Sequence, residues 1–255
     1  MMNNSIAFRT LLFKEIRRFM RIWPQTLLPP AITTSLYFLI FGQLMGERIG
    51  MVNGVSYMDY IVPGVILMSV ISHSYANVVS SFYSTKFQRH IEELLVAPIA
   101  NWTILAGYIG GGVTRGLLVD CVVSGISLLF TQITVIHWDI TIAVFILTSI
   151  LFSLAGFINA VFADSFDDIS IIPNFILTPL SYLGGVFYSV SMLPEIWQKI
   201  ALGNPILYMI NAFRYGLIGV SDIDAYVALA VISSFIVVMI LFCLWLLNKG
   251  IGIKT

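Results

Sequence analysis

The sequence has 255 residues, of which 58% are hydrophobic and 10% charged, and its 13 basic and 13 acidic side chains balance to zero net charge. An ordinary soluble domain carries about 25% charge, and this composition cannot supply the polar exterior that a soluble fold needs, so the chain reads as a membrane protein. The zero net charge and the lack of a basic face exclude a nucleic-acid binder, while Cys121 and Cys243, each inside an apolar run, suggest neither a disulfide scaffold nor a zinc site.

Residues 1–23 form the first unit. Phe8, Leu12, Ile16, Phe19 and Trp23 recur at steps of three and four, with Lys14, Arg17, Arg18 and Arg21 on the other side. This predicts a basic amphipathic helix lying in the membrane interface. It either anchors the chain or also docks a cytoplasmic partner. The stretch is not a secretory signal, because the apolar run after it is long, contains Pro24, Pro29 and Pro30, and ends without a small-residue cleavage site.

Residues 24–255 form the transmembrane unit. A helix needs about 20 mostly apolar residues to cross a bilayer, and six segments meet that length: residues 25–46, 58–83, 103–130, 140–162, 169–188 and 225–247. The short alternating segments of a β-barrel are absent, so the fold class is all-α and polytopic. No connection is long enough for a soluble catalytic domain. With the N-terminus inside, nine basic residues lie on the cytoplasmic side (Arg9, Lys14, Arg17, Arg18, Arg21, Lys86, Arg89, Lys249, Lys254) and three outside (Arg48, Lys199, Arg214). That bias places both termini in the cytoplasm.

Between spans two and three, residues 86–98 are the most polar internal stretch. Phe87, Ile91, Leu94 and Leu95 fall at helical spacing, Arg89, Glu92 and Glu93 lie on other faces, and Pro98 ends the element. This predicts a short amphipathic helix that either contacts a cytoplasmic protein or is a solvated loop. In span three, Gly107 and Gly111, and Gly112 and Gly116, are spaced for close helix packing; no Gly-Lys-Ser or Gly-Lys-Thr follows to make a phosphate loop. Arg115 and Asp120 are costly in a span and are expected in the bundle interior with partners on other helices, fixing assembly or lining a translocation path.

Asp164, Asp167 and Asp168 could hold Mg²⁺ for an embedded transferase only with further ligands. Helix capping or contact with cytoplasmic water is the simpler reading. His73, His90 and His137 show no metal spacing. Residues 189–221 are too apolar for a free loop and are broken by Pro194 and Pro205, predicting one or two short re-entrant helices in the outer leaflet, with Arg214 near the polar rim.

Three features, on six spans with a basic interfacial N-terminus, resemble the integral membrane subunit of ABC-2 type exporters, over nearly the whole chain. They are Glu92-Glu-Leu-Leu-Val-Ala-Pro98, Tyr60-Ile-Val-Pro-Gly64, and the series Pro179-Leu-Ser-Tyr-Leu-Gly-Gly-Val-Phe187, Leu193-Pro194, Asn204-Pro-Ile-Leu-Tyr208 and Arg214. The chain departs from that pattern where Tyr188-Ser189-Val190 lacks a proline and where Asn211-Ala-Phe lacks a glutamate before Arg214. The resemblance implies a permease in a bacterial inner membrane, paired as a homodimer and driven by two separate cytoplasmic ATPase subunits. It would bind no cofactor itself, with ATP and Mg²⁺ on the partner. It would carry an amphipathic, lipid-linked or drug-like substrate outward. Arg18, Arg21, Glu92, Glu93, Leu94, Leu95 and Pro98 would couple to the ATPase. Arg115 and Asp120 would tune the interior, and Tyr182, Phe187, Tyr208 and Arg214 would belong to the path or its outer gate. A stand-alone secondary transporter or channel, or a scaffold without transport activity, are the alternatives; a secondary transporter would favour an internal repeat, which is not visible.

Overall fold

The computed structural model describes residues 4–132 and 134–252, apart from the Leu95 side chain; Lys254 lies outside the described residues. The chain opens with α1 (Asn4–Arg21) and turns directly into α2 (Trp23–Tyr37). Pro29 and Pro30 lie inside α2. Each lacks an N–H, so the carbonyls one turn earlier lose their intrahelical donors. The helix continues through a π-helical stretch, Phe38–Met45, into α3 (Gly46–Ile49). A two-residue hairpin follows, β1 (Met51–Val52) pairing antiparallel with β2 (Val55–Ser56). Asn53 and Gly54 both have positive φ, as a tight primed turn requires.

The centre of the bundle is α4 (Tyr57–Phe87), capped by Ser56, whose side chain accepts the Asp59 N–H. At 31 residues it is about 46 Å long, which exceeds a hydrocarbon core of about 30 Å. Then come α5 (His90–Val96), α6 (Asn101–Ser127) and α7 (Trp138–Phe162). The last third holds α8 (Asp168–Ile172), a π turn (Pro173–Leu177), α9 (Thr178–Leu183), α10 (Glu195–Ala201), α11 (Pro205–Ile218) and α12 (Ala225–Lys249). Helix α4 packs along α6, α7 and α11, α12 covers α7 and α11, and α1 lies on α6.

Among the described residues, five helical segments are long and apolar enough to cross a membrane: Trp23–Ile49, α4, α6, α7 and α12. The segment expected as the fifth span is instead a broken helix from α8 to α9. Pro173 and Pro179 remove two ladder donors, and the Thr178 hydroxyl bonds back to the Pro173 carbonyl at 2.9 Å. It still joins the two ends of the bundle: Phe166 packs edge-on against Tyr83, and Val186 lies against Gly64. One end gathers the N-terminus, α5, the start of α6 and the end of α12, since Asn101 bonds Asn248 at 2.6 Å and Lys86 bonds the carbonyls of Val161 and Ala163. The other end gathers the hairpin, α10 and the turns beside α11, where His137 N–H donates to the Gly216 carbonyl.

Two further expectations change. The inward edge of α1 is Ala7, Leu11, Glu15 and Phe19, with Phe8, Leu12 and Ile16 only half-buried beside it. Trp23 belongs to α2 and is 54% exposed. Arg214 is not at a polar rim: α11 is packed into the bundle and the arginine is 1% exposed.

Candidate functional site

The seam between α1, α4 and α6 is built on glycine. A Cβ at Gly107 would stand 2.7 Å from Leu11 Cβ, and one at Gly111 would stand 2.5 Å from Glu15 Cβ. Gly112 and Gly116 serve the opposite flank, meeting Ser153 of α7 and Ser74 of α4. Only hydrogen at Gly107 and Gly111 lets α1 come this close. The contact places Glu15, 1% exposed, inside the bundle. Ser81 Oγ donates to its Oε1 at 2.7 Å, and Arg18 pairs with its Oε2 at 3.2 Å. Arg18 also donates to the Asn77 carbonyl and to Asn77 Oδ1, both at 2.8 Å. Arg18 thus fastens α1 to α4, whereas Arg21 is exposed. Periodicity misses Glu15 because an acid on an apolar stripe reads as an exception. Its signal is its place four residues after Leu11 and three before Arg18.

Helix α5 stands at the same end. Arg89 takes a left-handed conformation, φ 61°, and this turns the chain away from α4. Ile91 is buried and Leu94 half-buried, anchoring α5 to the core. Glu92, Glu93 and Pro98 are exposed and Val96 is 86% exposed. Among the described residues the ion pairs are Glu15–Arg18 and Glu195–Lys199, so neither acid of α5 is in one. The Leu95 side chain lies outside the described residues. Phe87 is exposed, yet it stacks with Tyr83 and Phe166 at the end of α4.

Arg115 and Asp120 are separated by five residues, about 140° around the helix, and the fold sends them to different places. Arg115 lies within electrostatic reach of His73 and Arg18, and its Nε is buried without a hydrogen-bond partner. Asp120 accepts from Ser124 Oγ at 3.2 Å on its own helix and lines a cleft beside α7. Among the described residues, neither has the hydrogen-bonding partner expected on another helix.

At the far end, Arg214 Nη2 donates to the Gly185 carbonyl at 2.7 Å and Nε to the Tyr60 carbonyl at 3.2 Å, with the guanidinium 3.9 Å from the Tyr60 ring centroid. One buried side chain therefore ties α11 to α4 and to the turn after α9. Asn211 accepts the Asp222 N–H, and the Asp222 carboxylate accepts from Ser189 Oγ and Asn53. Asp222 brings a carboxylate within electrostatic reach of Arg214, and α11 supplies none. Phe187 stacks on Phe41 at 4.6 Å and lies near Tyr37 and Tyr182. Tyr182 and Phe187 are thus brought together, while Tyr208 is elsewhere, bonding the Leu202 carbonyl.

The acidic cluster acts as a cap. Asp168 Oδ2 accepts the N–H groups of Asp164 and Ser165, and Ser165 Oγ accepts the Asp168 N–H. These bonds hold the Asp168 carboxyl below the usual carboxylate range, the Asp164 N–H contributing most. No group of three or more His, Cys, Asp or Glu among the described residues is placed to hold a metal.

Comparison with known proteins places the chain among transport permeases. Residues 6–218 match the ABC-2 type transporter family. The chain is 54% identical over 250 residues to the inner membrane transport permease YadH of Escherichia coli K12, covering 98% of each protein. It is 24% identical over 218 residues to nodulation protein J of Rhizobium leguminosarum bv. viciae, covering 84% of this chain and 83% of that one.

Proposed function

The chain belongs to the ABC-2 type transporter family, and we propose that it is the six-span permease subunit of an ATP-driven exporter in a bacterial inner membrane, paired as a homodimer with two separate cytoplasmic ATPase subunits. The observation that carries this reading is α5. It is anchored by Ile91 beside the end of the central helix, and it presents Glu92, Glu93 and Val96 outward. A helix held on one side and exposed on the other suits a partner that pushes. With Arg214 buried in the bundle, nine basic residues on one side against Arg48 and Lys199 on the other support a cytoplasmic placement of α1 and α5.

Motion would pass from α5 into α4, because Arg89 and Gln88 are the only residues between them. Helix α1 would move with α4 through Arg18 and Asn77, while the glycines of α6 let it slide as a rigid strut. At the outer end, Arg214 would carry the movement to the turn at Gly185 and hence to Phe187 and Tyr182. ATP and Mg²⁺ would sit on the partner, and this chain would contribute no hydrolytic group. Spans rich in aromatic residues and poor in charge suit an amphipathic substrate. Co-purification with an ABC ATPase subunit, and substrate-stimulated ATP hydrolysis by the reconstituted pair, test the reading; a chain that transports without any nucleotide-binding partner would refute it.

A further inference from the structure

A cleft of about 660 Å³ opens between α6 and α7, closed behind by α4 and α11. Its size falls in the range of about 300–1,000 Å³ that holds drug-sized ligands. Neither α2 nor α9 contributes to its lining, and its rim residues Cys121, Leu128 and Trp138 are exposed on an apolar face of the bundle. The walls are apolar and aromatic, with Phe145 and Phe213 inside. Asp120 is the charged group in it, about 10 Å from the end of α6 at 1.5 Å per residue.

Three hydroxyls of the cleft have one character, while Thr134 and the Trp138 indole add donor groups to the lining. Ser127 donates to the Ser124 carbonyl, Thr141 donates to the His137 carbonyl, and Ser124 donates to Asp120. These three hydroxyl protons are spent, so the oxygens of Ser124, Ser127 and Thr141 can only accept. Asp120 has about four acceptor sites, and one is used. None of the described lining residues is basic. A carboxylate at membrane depth is costly without a partner, and the free lone pairs of Asp120 call for a donor with positive charge. We propose that this cleft binds a hydrophobic cation entering sideways from the bilayer, its amine on Asp120 and its apolar body against Trp138, Phe145 and Phe213. The ring faces add cation–π attraction. The site depends on the membrane placement of the chain and stands whether or not an ATPase drives it.

The test uses the full-length chain in phosphatidylcholine nanodiscs with ethidium as probe and empty discs as blank. Saturable binding above the blank is expected, displaced by dodecylammonium and not by dodecyl sulfate. Asp120→Asn should weaken it by about tenfold or more, while Asp120→Glu keeps it within about threefold. Ethidium should also slow alkylation of Cys121, the other cysteine, Cys243, being buried. Equal affinity in wild type and in Asp120→Asn of unchanged thermal stability overturns the site, as does binding no greater than to empty discs. If Asp120→Asn fails to fold, Cys121→Trp, which fills the rim, must abolish binding; retained affinity then overturns the proposal.

Discussion

Glu15 of α1 and Ser81 of α4 meet at 2.7 Å inside the bundle, where Arg18 supplies the balancing charge. Breaking a buried pair by removing one partner is worse than neutralising both, because the surviving charge stays desolvated. Arg18→Met, which strands the carboxylate, should cost about 3 kcal/mol. Glu15→Gln keeps an acceptor for Ser81 and should cost less. The double substitution should recover part of the loss, and a thermal-denaturation double-mutant cycle in detergent measures the coupling. Strict additivity would show that the pair is not a unit.

Two glycines of the same helix should respond with opposite sign. A Cβ at Gly111 stands 2.5 Å from Glu15, whereas one at Gly125 meets nothing within 4 Å. Gly111→Ala should destabilise by about 1–3 kcal/mol through overpacking. Gly125→Ala should be neutral or stabilising by up to about 1 kcal/mol, since alanine loses less backbone entropy in a helix. Melting temperatures of the two variants decide this directly.

Arg214 serves two carbonyls and the Tyr60 ring at once. A lysine cannot reproduce that planar fork, so Arg214→Lys should still lose about 2 kcal/mol or more by leaving buried acceptors unpaired. Limited proteolysis should then cut first in residues 184–204, the turn and short helices that this arginine holds. Wild-type resistance in that segment would contradict the fastening role.

The Asp168 cap carries a pH signature. Its carboxyl titrates below the usual value, chiefly because the ion accepts the Asp164 N–H and then the Ser165 groups. A depressed folded value stabilises the protein above the unfolded value, about 3.9 for aspartate, and that contribution fades as pH falls through the folded value. The melting-temperature gap between wild type and Asp168→Asn should therefore be constant from neutral pH down to about pH 5 and shrink below about pH 4. A gap that widens in acid would reverse the sign.

The helical architecture was legible because lipid forces it: long apolar runs must satisfy their own backbone, and the runs at α4, α6, α7 and α12 end close to where composition places them. The packing role of the glycines was legible too, since spacing alone dictates which flank each one serves. The broken segment from α8 to α9 was not, although Pro173 and Pro179 mark it, because hydropathy averages over a missing hydrogen bond. The face of α1 was misjudged because a buried glutamate is invisible to an apolar periodicity; only the three-dimensional approach of Ser81, Asn77 and Gly111 reveals it. Arg214 was expected at a rim for the same reason, as its partners are backbone carbonyls distant in sequence. The cleft at Asp120 could not be read at all, because four helices and a connecting segment form it.

The most direct measurement concerns α5. Glu92→Lys/Glu93→Lys reverses two exposed charges that make no ion pair among the described residues, so folding should be unaffected. Pull-down of the proposed ATPase partner from solubilised membranes, with ATP hydrolysis by the reconstituted pair, should fall by about tenfold or more while the permease keeps its wild-type melting temperature. Unchanged association and unchanged stimulated hydrolysis would contradict the claim that α5 receives the ATPase.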